Sequence, residues 1–199
     1  SYYRVHPEEI IAIWDGGIAI YGAILGGFVV MVVFCRHRLI NVWTMLDVVA
    51  PAVILAQGIG RWGNFMNQEA FGKITTRAAL QAQHLPTWII EQMRIEGAYR
   101  VPTFLYESLW DISGFILLVL LRHGPRFFKQ GEVFLAYIGW YAVGRFFIEG
   151  MRTDSLMLGP IRISQLVSAI LFVGAIITAV WRRYHDGRRL NWYINNQKG

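Results

Sequence analysis

Residues 43–72 read WTMLDVVAPAVILAQGIGRWGNFMNQEAFG, and this stretch combines the fold signal with a dense group of polar residues. Its first part, residues 43–60, is a mainly apolar run of the kind that crosses a bilayer, which takes about 20 residues. Its second part, residues 58–72, contains one Arg, one Glu, one Gln, two Asn and four Gly. The end of an apolar helix does not need so many polar groups, so the pattern indicates a site at a membrane surface.

The composition of the whole chain is that of a membrane protein. Of its 199 residues, 55% are hydrophobic and only 16% are charged, whereas soluble domains usually carry about 25% charged residues. Candidate spanning segments occur at residues 16–34, 43–60, 104–121, 133–149 and 163–181. We therefore predict an all-α fold, a polytopic membrane helix bundle with about five transmembrane helices, in which residues 1–199 form a single integral membrane domain.

The basic residues of the connecting segments predict the orientation of the bundle. The sequences CRHRL, RHGPRFFK and RRYHDGRR follow the first, third and fifth predicted spans. All three fall on one side if every segment spans, and basic loops face the cytoplasm. We therefore place the C-terminus in the cytoplasm and attribute the net charge of +6 to topology, with no nucleic acid as partner. Residues 73–100, which have amphipathic patches, are predicted to be an extracytoplasmic loop region with a short helix.

The first polar cluster lies at the end of the second predicted span. If that helix continues, Gln57, Arg61 and Asn64 share one face. An arginine presents a planar fork that suits phosphate or carboxylate, and the neighbouring glycines leave room for a headgroup. The alternative is a polar helix end in which Arg61 only reaches toward the interface.

The second polar cluster lies in YAVGRFFIEGMRTD, where Tyr141, Arg145, Glu149 and Arg152 are spaced four, four and three residues apart. This spacing predicts one helical face and an ion pair between Arg145 and Glu149. Two arginines and one carboxylate leave a surplus positive charge, which an anionic ligand could neutralise. The alternative is a purely structural ion pair.

Two further motifs have weaker signals. VPTFLYES, with Asp111 beyond it, places Tyr106 and Glu107 early in the third span, where Glu107 is either a helix-start residue or a functional one. WDGGIAIYGAILGG places Tyr21 about one turn into a glycine-rich helix. The five histidines are scattered without the spacing of a metal site, and the single Cys35 excludes a cysteine cluster. We expect no metal and no cofactor.

GRWGNFMNQEAFG resembles the signature of the bacterial prolipoprotein diacylglyceryl transferase family, Gly-Arg-x-Gly-Asn-Phe-x-Asn-x-Glu-x-x-Gly, at every fixed position. The likeness extends in family order to WDGGIAIYGAILGG, VPTFLYES and GRFFIEGMRTD. It implies an enzyme of the bacterial plasma membrane that transfers the diacylglyceryl group of phosphatidylglycerol to the lipobox cysteine thiol of a prolipoprotein signal peptide. A thioether forms and glycerol phosphate is released. The resemblance also implies that residues 1–199 are the C-terminal portion of a longer, seven-helix enzyme.

The resemblance also assigns roles to residues at matching positions, with the active site toward the extracytoplasmic face. We expect Arg61 and Arg145 to stabilise the phosphate and Glu69 and Glu149 to orient these arginines or the glycerol hydroxyls. The family commonly has histidine where Tyr21 stands, which makes Tyr21 a candidate base. Residues expected to bind phosphatidylglycerol are Arg61, Asn64, Asn67, Gly72, Arg145 and Arg152.

Two other classes of function fit the same residues. In a transporter or channel for an anionic solute, the intramembrane Arg and Glu residues would line a pathway. In a non-catalytic membrane scaffold, the glycines and ion pairs would only pack helices. The polar groups cluster toward one face and no inverted repeat is visible, which favours the transferase over the transporter.

Overall fold

The computed structural model describes residues 19–124, 127–153, 157–158, 161–185 and 192. Seven helices and five short strands occur in these residues, in the order α1 Ala19–His37, α2 Val42–Met66, β1 Ile74–Thr75, α3 Arg77–Ala82, α4 Thr87–Gln92, β2 Arg94–Ile95, β3 Ala98–Arg100, α5 Thr103–Arg122, α6 Glu132–Glu149, β4 Met157–Leu158, β5 Ile161–Arg162 and α7 Ile163–His185. The contacts divide the chain into residues 1–45 and residues 46–199, which are described separately.

Each predicted spanning segment coincides with a helix, which confirms the polytopic helical membrane fold. By length and composition, α2, α5 and α7 can cross a membrane, and the apolar part of α1 is a shorter run. Helix α6 is 18 residues long but carries three charged residues, Glu132, Arg145 and Glu149. Five membrane crossings, and a single domain over residues 1–199, remain predictions.

The first unit contains α1, a helix of almost entirely apolar residues. Large side chains such as Leu25 and Val30 are exposed along it, as expected of a surface in contact with lipid. The helix ends in Arg36 and His37, and positive charge at a helix C-terminus is favoured by the helix dipole.

In the second unit, α5 and α6 are joined by two reciprocal tryptophan contacts. Trp110 Nε1 donates to the carbonyl oxygen of Trp140, and Trp140 Nε1 donates to that of Trp110, each at 3.0 Å. The rings stack with centroids 4.4 Å apart. Each ring lies over a glycine of the facing helix, Gly144 under Trp110 and Gly114 under Trp140. Small residues and interhelical hydrogen bonds are the usual means of packing helices in a membrane.

The start of α6 is held by buried polar side chains. Asp47 on α2 is fully buried, and its carboxylate accepts hydrogen bonds from Gly131 N and, at 2.9 Å, from Phe134 N. It therefore caps the start of α6, where Gly131 adopts a positive φ of 89°. Glu132 is buried and pairs with Arg183 of α7 through both carboxylate oxygens.

The segment between α2 and α5 differs from the prediction of one short helix. It contains two short helices, α3 and α4, and an antiparallel sheet with strand order β1-β3-β2. Strands of two or three residues are too short to show an alternating pattern. The turn from β2 to β3 has Glu96 and Gly97 at φ 52° and 80°, as a two-residue hairpin requires. An apolar core that includes Phe65, Leu80 and Phe104 packs this segment onto α2 and α5.

Candidate active site

Glu107 lies at the centre of a cluster of charged residues from three helices. It is only 5% exposed, and its position on α5 lies between α2 and α6. Its Oε2 lies 2.9 Å from Arg61 Nε of α2, an ion-pair distance without the alignment of a hydrogen bond. Its Oε1 accepts a hydrogen bond of 3.0 Å from Arg145 Nη1 of α6. One carboxylate thus connects the two predicted clusters.

Arg145 also pairs within its own helix. Its Nη2 lies 2.7 Å from Glu149 Oε2, one turn along α6, and Glu149 is 1% exposed. The structure therefore confirms the ion pair predicted from the four-residue spacing. The result is a row of alternating charges, Arg61, Glu107, Arg145 and Glu149, across the ends of three helices.

The second polar cluster gains a carboxylate from another helix. Arg61 and Arg145 face two carboxylates, Glu107 of α5 and Glu149 of α6. The predicted surplus of positive charge counted Arg145 and Arg152 against Glu149 alone, and it remains a prediction. The spacing within α6 could not reveal a partner on α5. The motif VPTFLYES leaves Glu107 equally open to a structural and a functional role, and Glu107 is absent from the predicted site residues.

The Arg61 guanidinium faces a carboxylate with its Nε, whereas its two Nη groups face no acceptor among the described residues. Its Nε faces Glu107, and its side chain is 20% exposed. Among the described residues, no side chain or carbonyl hydrogen-bonds to its two Nη groups. A guanidinium whose Nε faces a carboxylate can present its two Nη groups in parallel, which is the geometry that binds two oxygens of a phosphate.

The residues of the first predicted cluster lie partly on α2 and partly in the turn that follows it. Gln57, Arg61 and Asn64 all lie on this helix, as predicted, because α2 continues to Met66. Asn67 and Glu69 lie beyond it in an exposed turn, and Glu69 N donates to Asn64 O at 2.9 Å. In the described part of the chain, no hydrogen bond or ion pair joins the side chains of Asn64, Asn67 or Glu69 to either arginine. Their predicted roles remain predictions.

Gly72 fixes the turn that follows α2. Its N donates to Val101 O at 3.0 Å, and a Cβ at this position would lie 2.8 Å from Val101 Cβ. Thr103 Oγ1 donates to Ala70 O at 2.6 Å, so the turn is attached to the start of α5. The structure thus gives Gly72 a packing role, and contact with a lipid headgroup remains a prediction.

Arg152 does not lie on the helical face predicted for it. Helix α6 ends at Glu149, because Gly150 caps it, and Arg152 instead pairs with Gly72 in an isolated antiparallel bridge. This bridge brings the ends of the two predicted motifs together through the backbone. The helical spacing of Tyr141, Arg145 and Glu149 holds, and that of Arg152 was wrong.

Arg162 is a further cation at this end of α6 that the sequence reasoning did not single out. Its Nη1 donates to the carbonyl oxygen of Glu149 and lies 3.5 Å from that of Arg152. A cation at the C-terminal carbonyls of a helix is favoured by the helix dipole. Its position next to a turn gave no periodic signal.

A second polar layer lies one helical turn deeper in the bundle. It contains Gln57 on α2, Asp111 on α5 and Tyr141 on α6, each four residues from a member of the charged row. Tyr137 OH, a further turn along α6, donates weakly to Gln57 Oε1 at 3.4 Å. A small cavity of about 10 Å³ touches both layers; it is lined by Arg61, Glu107, Trp110, Asp111, Tyr141, Gly144, Arg145 and Ile148.

Tyr21, the predicted base, belongs to α1 by its backbone, and its side chain lies outside the described part of the structure. Among the described residues, no group of three or more His, Cys, Asp or Glu side chains is arranged to hold a metal ion. The expectation that the protein needs no metal remains a prediction. The chemistry available at the site is therefore that of two arginines, three buried carboxylates and the hydroxyls and amides around them.

Comparison with known proteins gives consistent matches. The sequence model of the prolipoprotein diacylglyceryl transferase family matches residues 1–181. The chain is 67% identical over 195 residues to the phosphatidylglycerol–prolipoprotein diacylglyceryl transferase of Limosilactobacillus reuteri, covering 98% of the chain and 70% of the relative. Identity is 61% to the enzyme of that name from Lactiplantibacillus plantarum, covering 98% of the chain and 69% of the relative. It is 58% to that of Enterococcus faecalis, covering 98% and 70%.

Proposed function

The chain belongs to the prolipoprotein diacylglyceryl transferase family and is a transferase, and we propose how its charged row performs the transfer. The relatives are named for phosphatidylglycerol and prolipoprotein, which supports these two molecules as substrates here. In the proposed reaction, the thiol of the lipobox cysteine in the prolipoprotein signal peptide attacks the glycerol carbon that carries the phosphate. The diacylglyceryl group becomes a thioether, and glycerol phosphate leaves.

The observation that carries this proposal is that the two Nη groups of Arg61 have no hydrogen-bond acceptor among the described residues. As the carbon–oxygen bond breaks, its electron pair moves to the phosphate oxygen and the negative charge on the phosphate grows. A guanidinium held through Nε by Glu107 can face that charge with two N–H groups. Groups that bind the growing charge more strongly than the ground-state charge lower the barrier.

Arg145 is proposed as the second phosphate ligand. It is held from two directions, by Glu107 Oε1 and by Glu149 Oε2, so its guanidinium is fixed before substrate arrives. Donors that need no rearrangement during the reaction are the most effective ones. The two glutamates are therefore proposed as positioning residues, Glu149 from its place in the sequence and Glu107 from its contacts with both arginines.

The remaining predicted residues have proposed supporting roles. Asn64, in the last turn of α2, is proposed to hydrogen-bond headgroup oxygens, with Asn67 and Arg152 on the turns beyond. Gly72 keeps those turns close together, and Glu69 is proposed to bind a glycerol hydroxyl from the exposed turn. Tyr21 remains a candidate base.

The position of the cluster supports a lipid substrate. Helix α2 has 25 residues and is therefore about 37 Å long, whereas the hydrocarbon core is about 30 Å thick. Along α6, Glu132 and Arg145 are about 20 Å apart, so one charge cluster lies toward each end of the span. We propose that the Arg61 end faces outside, at the depth of lipid phosphates, and that the C-terminus lies in the cytoplasm.

A transfer assay tests the proposal. The protein is reconstituted in vesicles with phosphatidylglycerol labelled in the acyl chains, and a peptide with a lipobox cysteine is added. We expect labelled thioether peptide and an equal amount of glycerol phosphate, whereas a peptide with serine at the cysteine position gives neither. Uptake of a labelled anionic solute without thioether would support the transporter instead. Absence of both activities in the folded protein would support the scaffold.

A further inference from the structure

Asp111 is a buried carboxylate that the proposed phosphate site does not use. It lies on α5 one turn deeper than Glu107 and is 4% exposed. Its Cβ is close to α2, since a Cβ on Gly58 would lie 3.2 Å from it. Within the described residues, no side chain or backbone group donates a hydrogen bond to its oxygens. A carboxylate buried in a helix bundle without donors is costly, and such groups in membrane proteins usually have a function.

Asp111 nevertheless touches the proposed reaction site. It lines the same small cavity as Arg61, Glu107 and Arg145, and that cavity is about the size of one water molecule. In the described part of the chain, the charged and titratable groups that face it are Arg61 from α2, Glu107 from α5, and Tyr137, Tyr141 and Arg145 from α6.

The buried carboxylates of Glu107 and Asp111 differ in whether their oxygens have ion-pair or hydrogen-bond partners. Both oxygens of Glu107 are engaged by arginines, Oε1 by Arg145 and Oε2 by Arg61. The oxygens of Asp111 have no such partners among the described residues and keep their lone pairs available. A proton acceptor needs an available lone pair within direct reach of the donor or within reach through one water.

We propose that Asp111 accepts the thiol proton during diacylglyceryl transfer, an inference that rests on the proposed function. As the carbon–sulfur bond forms, the carbon–oxygen bond to phosphate breaks, and its electron pair leaves on the phosphate oxygen. The thiol proton passes to the Asp111 carboxylate, directly or through one water. It then passes to the released glycerol phosphate, so that Asp111 is ionised again and protons balance without another reactant.

The test compares a thiol peptide with a selenol peptide of the same sequence. A selenol is already ionised at neutral pH, so its transfer needs no proton acceptor. For Asp111→Asn we expect kcat with the thiol peptide to fall about 100-fold at neutral pH, with the KM for phosphatidylglycerol unchanged. The deficit should shrink as the pH rises past about 8.5, where free thiols ionise. With the selenol peptide, the variant should stay within a few-fold of the unmodified protein.

The ratio of selenol to thiol rates does not depend on how much of a variant folds, which protects the test from instability. Asp47→Asn, a buried carboxylate outside the site, is the matched control and should leave the ratio unchanged. Unchanged thiol transfer by Asp111→Asn, or equal losses with both peptides, would overturn the inference. A selenol-to-thiol ratio that rises in Tyr21→Phe but not in Asp111→Asn would also overturn the inference. If the unmodified protein transfers to neither peptide, the proposed function itself fails.

Discussion

Arg145 Nη1 donates a hydrogen bond of 3.0 Å to Glu107 Oε1, and this contact joins α6 to α5 at the level of the proposed active site. Because the other oxygen of Glu107 faces Arg61 at 2.9 Å, a single buried carboxylate sets the separation of the two arginines. The distance between the two proposed phosphate ligands is therefore determined by a residue that need not touch substrate.

Replacing this carboxylate should impair both stability and transfer. In Glu107→Gln, two arginines lose their shared counter-charge, and removing one partner of a buried ion pair costs about 3 kcal/mol or more. We expect a lower thermal midpoint in detergent and a rate of transfer at least about tenfold lower per folded molecule.

The matched control for Glu107→Gln is Glu91→Gln, which breaks the pair with Arg77. Both of those side chains are about half exposed, and exposed pairs contribute about 1 kcal/mol or less. Stability and transfer should therefore stay near those of the unmodified protein. Equal effects of the two substitutions would argue against a central role for Glu107.

The tryptophan contact between α5 and α6 predicts that adding one methyl group at Gly114 destabilises the protein. In Gly114→Ala, the new Cβ would lie 2.4 Å from the Trp140 ring and 2.7 Å from Ile54 Cδ1. Overpacking of this kind costs about 1–3 kcal/mol, which a thermal melt in detergent would register. Gly174→Ala on α7 is the control, because nothing lies within 4 Å of its Cβ position. A tolerated Gly114→Ala would mean that the helices are further apart than described.

The cap on α6 predicts a loss of stability that spares the chemistry. Asp47→Ala leaves the N–H groups of Gly131 and Phe134 without their acceptor, and the loss of a cap costs about 1–2 kcal/mol. Transfer per folded molecule should remain near normal, since Asp47 lies outside the charged row. Asn41→Ala, which removes an exposed cap on Trp43 N, should cost less. A larger loss of transfer than of folded protein would contradict this separation.

The helices were predictable because each is a long apolar run, and the bilayer requirement leaves few alternatives. The pair of Arg145 and Glu149 was predictable because both lie on one helix. Glu107 and Asp111 were visible as polar residues in a span, but the partners of Glu107 and the neighbours of Asp111 lie on other helices, and periodicity carries no information about that. The strands between α2 and α5 are too short for a pattern, and the family signature does not describe them.

Arg152 shows how a correct motif can give a wrong geometry. The spacing from Glu149 fits a helix, but Gly150 follows directly and the helix stops there. The chain then turns back, and Arg152 meets Gly72 of the other motif. The two motifs are therefore adjacent in space through a contact that neither predicts alone.

We propose that Arg61 and Arg145 bind the phosphate of phosphatidylglycerol during transfer. The most direct measurement is the transfer rate of Arg61→Ala, Arg61→Lys and Arg145→Ala, with Arg77→Ala as a control arginine that is half exposed. We predict losses of at least about 100-fold in kcat for both alanine variants. Lysine should restore little, because it lacks the planar fork, and Arg77→Ala should stay within twofold of normal. Near-normal turnover by both Arg61→Ala and Arg145→Ala would show that these arginines do not bind the phosphate.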